Sequence, residues 1–130
     1  MAIRVLLADD AAVMRRLIRE LLEVRPEIEV AGEAGDFAQT LRMASDLKPQ
    51  VVVMDLHMPS GIRTPPAEVK SHLESCGSKL LAISIWNDED TGALARDFGA
   101  LVLLNKLDLN ETLVPAILQL ASPAADTEAK

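Results

Sequence analysis

A chain of 130 residues, 49% hydrophobic and 25% charged, has the size and balance of one globular domain with a buried core. Its formal net charge of −7 and the lack of a basic run argue against direct binding to nucleic acid or an anionic membrane surface, so the expected partner is another protein. The lone cysteine, Cys76, excludes an internal disulfide and a thiolate metal site. This fits a reducing compartment, and with no secretory signal in the first residues and no apolar run near membrane-span length, a cytoplasmic location is expected.

Ile3–Ala8 is a near-continuous apolar run that ends in Asp9 and Asp10, and predicts a strand. Val13, Leu17, Leu21 and Val24 then recur at helical spacing and predict a helix closed by Pro26. Residues 28–31 alternate weakly as a second strand. Asp36 is placed to cap a helix carrying Phe37, Leu41 and Ala44, which Pro49 ends. Val51–Asp55 is the third strand, four apolar residues closed by a carboxylate. Residues 59–66 read as an irregular loop, followed by a short helix over 67–75 that Gly77 stops. A fourth strand over 80–83 ends in Ser84. Asn87 or Asp88 starts a helix with Leu94 and Phe98 inward and Gly99 at its end, and a fifth strand over 101–104 leads through Asn105 to Lys106. Leu113, Ile117 and Leu120 mark the last helix; Pro115 would break a mid-helix hydrogen bond, so a late start capped by Thr112 is expected. Residues 122–130 are small and polar and read as a frayed tail on a domain of residues 1–121.

Strands apolar on both faces, alternating with helices, predict an α/β domain: a doubly wound five-stranded parallel sheet with right-handed crossovers. Parallel strands share one carboxyl edge, which is where open α/β sheets bind ligands. Asp9, Asp10, Asp55, Ser84 and Lys106 would converge there. Three clustered carboxylates repel one another unless a cation joins them, and an oxygen-rich set suits Mg²⁺.

Asp9-Asp10, the segment Met54-Asp55-Leu56-His57-Met58-Pro59, Ser84, and Phe98-Gly99-Ala100 leading to Lys106 together resemble the receiver domain of two-component response regulators. The likeness extends over residues 3–121. It implies a (βα)5 flavodoxin-like fold with strand order 2-1-3-4-5, and a phosphoryl group accepted on Asp55 with Mg²⁺. Asp10, Asp55 and the backbone carbonyl of His57 would ligate the ion, Asp9 would act largely through bound water, and Lys106 and Ser84 would meet the phosphoryl oxygens. A histidine kinase or phosphotransfer protein would be the donor. The output would pass to a downstream protein that the sequence does not name, through the surface of helix four, strand five and helix five, a face that also admits a homodimer. Such a protein catalyses its own phosphotransfer and slow dephosphorylation and is otherwise not an enzyme.

His57 and Trp86 lie two residues after Asp55 and Ser84, at positions that in the family tune the lifetime of the phosphoryl group; the bulk of Trp86 is expected to restrict water. Leu103 stands at the switch position where the family usually has an aromatic residue, and Leu107 stands where its best-known members have proline. Ser60, Gly61, Ile62, Arg63 and Thr64 replace the common Met-Asp-Gly pattern.

Taken singly, each residue has an ordinary explanation: the paired acids as helix caps, Asp55 as a loop acid, Lys106 as a solvated lysine, Trp86 as partial packing. Their joint placement carries the reading. The alternative is a phosphorylation-independent interaction module of the same fold. A phosphatase with an aspartate nucleophile would need Asp-x-Asp after the first strand, where Asp9-Asp10-Ala11 stands, and no glycine-rich or Walker loop follows that strand to bind a nucleotide. With no output segment after the last helix, a stand-alone receiver is expected.

Overall fold

The computed structural model describes residues 2–59 and 64–122. The expectations for Ser60, Gly61, Ile62 and Arg63, and for the tail at 123–130, lie outside these residues. Five strands alternate with five helices: β1 (Ile3–Ala8), α1 (Ala12–Glu23), β2 (Ile28–Ala34), α2 (Phe37–Leu47), β3 (Val51–Asp55), α3 (Pro66–Ser75), β4 (Lys79–Ser84), α4 (Glu89–Asp97), β5 (Ala100–Asn105) and α5 (Leu109–Leu120). All strand pairs are parallel and the order is β2-β1-β3-β4-β5, the doubly wound flavodoxin-like sheet. Among the described residues no helix is long and apolar enough to cross a membrane.

The period of two in β3 divides the core. Val52 and Met54 face a cluster with Phe37, Ala44, Val69, Leu73 and Phe98, while Val51 and Val53 face one with Ile18, Leu22, Leu113 and Ile117. Every residue of β3 is buried, so the strand needs apolar side chains on both faces, and its terminal Asp55 must find partners at the sheet edge.

Two local expectations are corrected, and the buried face of the α1 helix is added. The core stripe of α1 is Ile18 and Leu22, with Met14 and Leu21 packed beside them; Val13, Leu17 and Val24 lie on the outside, Val13 at 82% exposure. Two apolar stripes run side by side on this helix, and only the sheet beneath decides which is covered. Strand β2 continues three residues past Ala31 to Ala34, beside a register shift against Val5 and Leu6. Gly32 lies in the added stretch, where a Cβ would come 2.7 Å from Met43 Cε and 2.9 Å from Leu47 Cδ1, the mobile ends of two α2 side chains. Helix α5 begins at Leu109, before Thr112, and runs through Pro115. The proline is exposed, and burial of Leu109, Leu113, Ile117 and Leu120, at about 1.5–3 kcal/mol each, outweighs its cost of about 3 kcal/mol. Thr112 donates its hydroxyl to the Asp108 carbonyl within the first turn.

Candidate functional site

The carboxyl ends of β1, β3, β4 and β5 lie side by side, so the residues that end these strands share one edge. In the strand register Met54 stands beside Ala8, Asp55 beside Ile83, and Ser84 beside Asn105. Asp9 is 1% exposed; its N–H donates to the Ala34 carbonyl at 3.0 Å and its Oδ1 accepts from the Ala11 N–H at 2.9 Å. Asp55 is buried, and its Oδ1 accepts from the His57 N–H at 3.0 Å. The Asn105 side chain accepts from the Leu107 N–H at 2.9 Å and caps a 3-10 turn over Lys106–Asp108. From that turn Lys106 extends its Nζ to 3.0 Å from Asp55 Oδ2 and 2.7 Å from Asp9 Oδ2.

The two contacts of Lys106 differ in length. That to Asp55 is a hydrogen bond as well as an ion pair. That to Asp9 is a closer ion pair, 2.7 Å from the buried Oδ2. Burial pushes the Asp55 carboxyl above its ordinary value, and the His57 N–H and Lys106 only partly oppose this. Burial works to lower the Lys106 ammonium, but Asp9 and Asp55 outweigh it and leave it raised. One cation thus serves two buried carboxylates and does not fully offset the burial of Asp55.

Asp9, Asp10 and Asp55 each offer one oxygen, and these atoms lie within 4.8 Å of one another. Hard carboxylate donors at this spacing suit Mg²⁺, and one ammonium set against two buried carboxylates leaves negative charge that a second cation would offset. The residues therefore fit a divalent ion.

Ser84 reaches the same edge and is fully buried, but its hydroxyl oxygen accepts from the Trp86 N–H at 3.0 Å; among the described residues no hydrogen bond joins it to the acids. Among the described residues none accepts its hydroxyl proton. Trp86 is 56% exposed and lines a cleft of about 370 Å³ with His57, Asp88, Asp90, Thr91 and Leu94. Leu103 lies partly buried against the cluster that holds Ala82, Ala95 and Phe98. Asp9, Asp10, Asp55 and Lys106 thus come together, with Ser84 and Trp86 beside them and Leu103 partly buried at the edge of the core. One contact was not anticipated from sequence: Arg15, one turn into α1, donates from Nη1 to the Asp9 carbonyl at 2.5 Å. Its only signal in the sequence is a basic residue close behind paired acids.

The chain belongs to the response regulator receiver domain family, whose model matches residues 5–117. Receiver domains are in general signalling domains without enzymatic output of their own; they use Mg²⁺ at an acidic pocket and interact with histidine kinases or phosphotransfer proteins. Among curated relatives, the chain is 36% identical over 107 residues to protein-glutamate methylesterase/protein-glutamine glutaminase 3 of Myxococcus xanthus (strain DK1622), covering 80% of this chain and 30% of that protein. It is 35% identical over 115 residues to the transcriptional regulatory protein LiaR of Bacillus subtilis (strain 168), covering 88% of this chain and 54% of that one. The chain therefore spans between about a third and about half of the length of these two relatives. Among solved structures, the response regulator domain of Thermotoga maritima CheB superposes with a TM-score of 0.80 at 25% identity, covering 93% of this chain and 97% of that one. A two-component response regulator of the LuxR family from Aurantimonas sp. SI85-9A1 gives the same TM-score of 0.80 and 25% identity, covering 100% of both chains.

Proposed function

We propose that this receiver accepts a phosphoryl group on Asp55 from a histidine kinase or phosphotransfer protein and signals through contacts that depend on phosphorylation. The observation that carries this is the position of Lys106, whose ammonium meets both Asp55 and Asp9 beside an oxygen cluster fit for a cation. In the transfer, a carboxylate oxygen of Asp55 attacks the phosphorus of a phosphohistidine. The P–N bond breaks, its electron pair stays with the imidazole, and an aspartyl phosphate results; water later attacks the phosphorus, releases phosphate and restores the carboxylate.

Positioning and charge do most of the work in such a reaction. The His57 N–H and the Lys106 ammonium orient the two oxygens of Asp55. Lys106 remains as a counter-charge for the phosphoryl oxygens, and the hydroxyl of Ser84 is the donor that closes on them. Asp9, Asp10 and Asp55, with the carbonyl of His57, would hold Mg²⁺, which when bound supplies positive charge against both the acids and the incoming phosphoryl group. Trp86 limits the approach of water to the phosphorylated site. Movement of Ser84 toward the phosphoryl group makes room that Leu103 fills, altering the surface of α4, β5 and α5; such a switch is a biased two-state equilibrium.

The domain is taken as residues 1–121. Acetyl phosphate is the simplest donor for a test: label that needs Mg²⁺ and disappears in Asp55→Asn supports the reading, and label that persists in Asp55→Asn refutes it.

A further inference from the structure

We propose that Arg15, clamped by Glu33, is a positioning residue that holds the Asp9-Asp10 turn ready for a divalent cation; this rests on the reading of the site given above. Arg15 makes two contacts at once. Its Nη1 donates to the backbone carbonyl of Asp9 at 2.5 Å, and its Nε donates to Glu33 Oε1 of β2 at 3.1 Å. Glu33 is held in turn through its other oxygen, which accepts from Arg19 Nε at 2.6 Å.

The turn needs such a clamp because its own capping is thin. Ala11, the N-cap of α1, supplies no side-chain hydrogen bond, and the first turn of the helix carries no acid. The Asp9 carboxylate takes the Ala11 N–H through Oδ1 and turns Oδ2 toward the Lys106 ammonium, 2.7 Å away. Mutual repulsion between Asp9, Asp10 and Asp55 favours splaying the turn. Arg15 opposes this by tying the end of β1 to α1 and β2 in one connected unit. The planar guanidinium fork can reach carbonyl and carboxylate together, which a lysine ammonium on a flexible stem does less well. Groups behind the ligands commonly tune metal affinity by orienting them.

The direction of the effect separates positioning from simple charge. A guanidinium acting only by charge would compete with a cation, so its removal would tighten binding. A guanidinium acting by position would loosen binding when lost. Calorimetric Mg²⁺ titration of the whole chain is the direct test, with the fluorescence of Trp86, the one tryptophan in the sequence, as a second readout. Arg15→Met is expected to raise the Kd for Mg²⁺ about tenfold. Glu33→Gln, which keeps the guanidinium but weakens its anchor, is expected to shift it the same way by less. Urea midpoints in EDTA establish that each variant is folded.

Unchanged or tighter binding in folded Arg15→Met overturns the inference. If that variant does not fold, an unchanged Kd in Glu33→Gln overturns it instead. A wild type that binds no Mg²⁺ overturns the metal reading of the site and this inference with it. A wild type that binds while both variants bind equally well overturns this inference alone.

Discussion

The ammonium of Lys106 stands 3.0 Å from Asp55 Oδ2, a contact that joins the end of β5 to the end of β3 across the intervening β4. It also meets Asp9 at the end of β1 at 2.7 Å. With side chains 11%, 8% and 1% exposed, these three groups are screened little by solvent, so the balance of one positive against two negative charges matters to the fold as well as to the chemistry.

Replacing Lys106 by methionine keeps the apolar stem and removes the charge. In EDTA at neutral pH the loss is expected to be about 3 kcal/mol of unfolding free energy, since two buried carboxylates lose their partner. Excess Mg²⁺ is expected to restore part of it. Urea denaturation with and without Mg²⁺ checks both halves; equal losses in the two conditions would mean that no cation reaches the acids.

Trp86→Ala is expected to shorten the life of the phosphorylated form several-fold, because the indole at the rim of the cleft beside His57 is replaced by a methyl group. Decay of the phosphorylated band on a phosphate-affinity gel measures it. An unchanged decay rate would reduce Trp86 to surface packing.

The Glu33 carboxyl lies below its ordinary value: the hydrogen bond from Arg19 is the largest cause, burial opposes it, and Arg15 adds to the lowering. A carboxyl depressed in the folded state contributes stability above its unfolded value, and this is lost as pH falls through the folded one. Glu33→Gln should therefore be less stable than the wild type at pH 7. The difference should shrink as pH falls below the ordinary glutamate value of 4.5. Both partners are about a third exposed, so the expected difference is about 1 kcal/mol at low salt and smaller in high salt. Urea midpoints of the two proteins across that pH range follow it.

Gly99 and Gly77 end neighbouring elements with positive φ, +82° and +74°, but their surroundings differ. A Cβ at Gly77 meets nothing within 4 Å, whereas one at Gly99 falls 2.6 Å from Lys70 Cγ. Gly77→Ala should cost about 1 kcal/mol from backbone strain alone and Gly99→Ala about 2 kcal/mol or more, because Lys70 must also move. Thermal unfolding of the pair separates strain from crowding.

Strand β3 was legible to the residue because a run of apolar side chains closed by an acid has few other uses in a chain of this size. The α1 face was not: Val13 and Leu17 repeat as regularly as Ile18 and Leu22, and periodicity does not say which stripe the sheet covers. The start of α5 was hidden by Pro115, whose local cost is visible in sequence while the burial of Leu109 and Leu113 that offsets it is tertiary. In the site, the acids and Lys106 could be read from their places at strand ends, since a parallel sheet brings those ends together. The hold of Arg15 on a backbone carbonyl could not, because it depends on a rotamer and on Glu33 of a neighbouring strand.

The central claim is that Asp55 accepts a phosphoryl group. Intact-protein mass spectrometry after incubation with acetyl phosphate and Mg²⁺ tests it most directly. The account predicts the mass of one added phosphoryl group in the wild type, its absence when EDTA replaces Mg²⁺, and its absence in Asp55→Asn with Mg²⁺. A folded wild type that gains no phosphoryl group would contradict the account and favour a receiver fold that signals by phosphorylation-independent contacts.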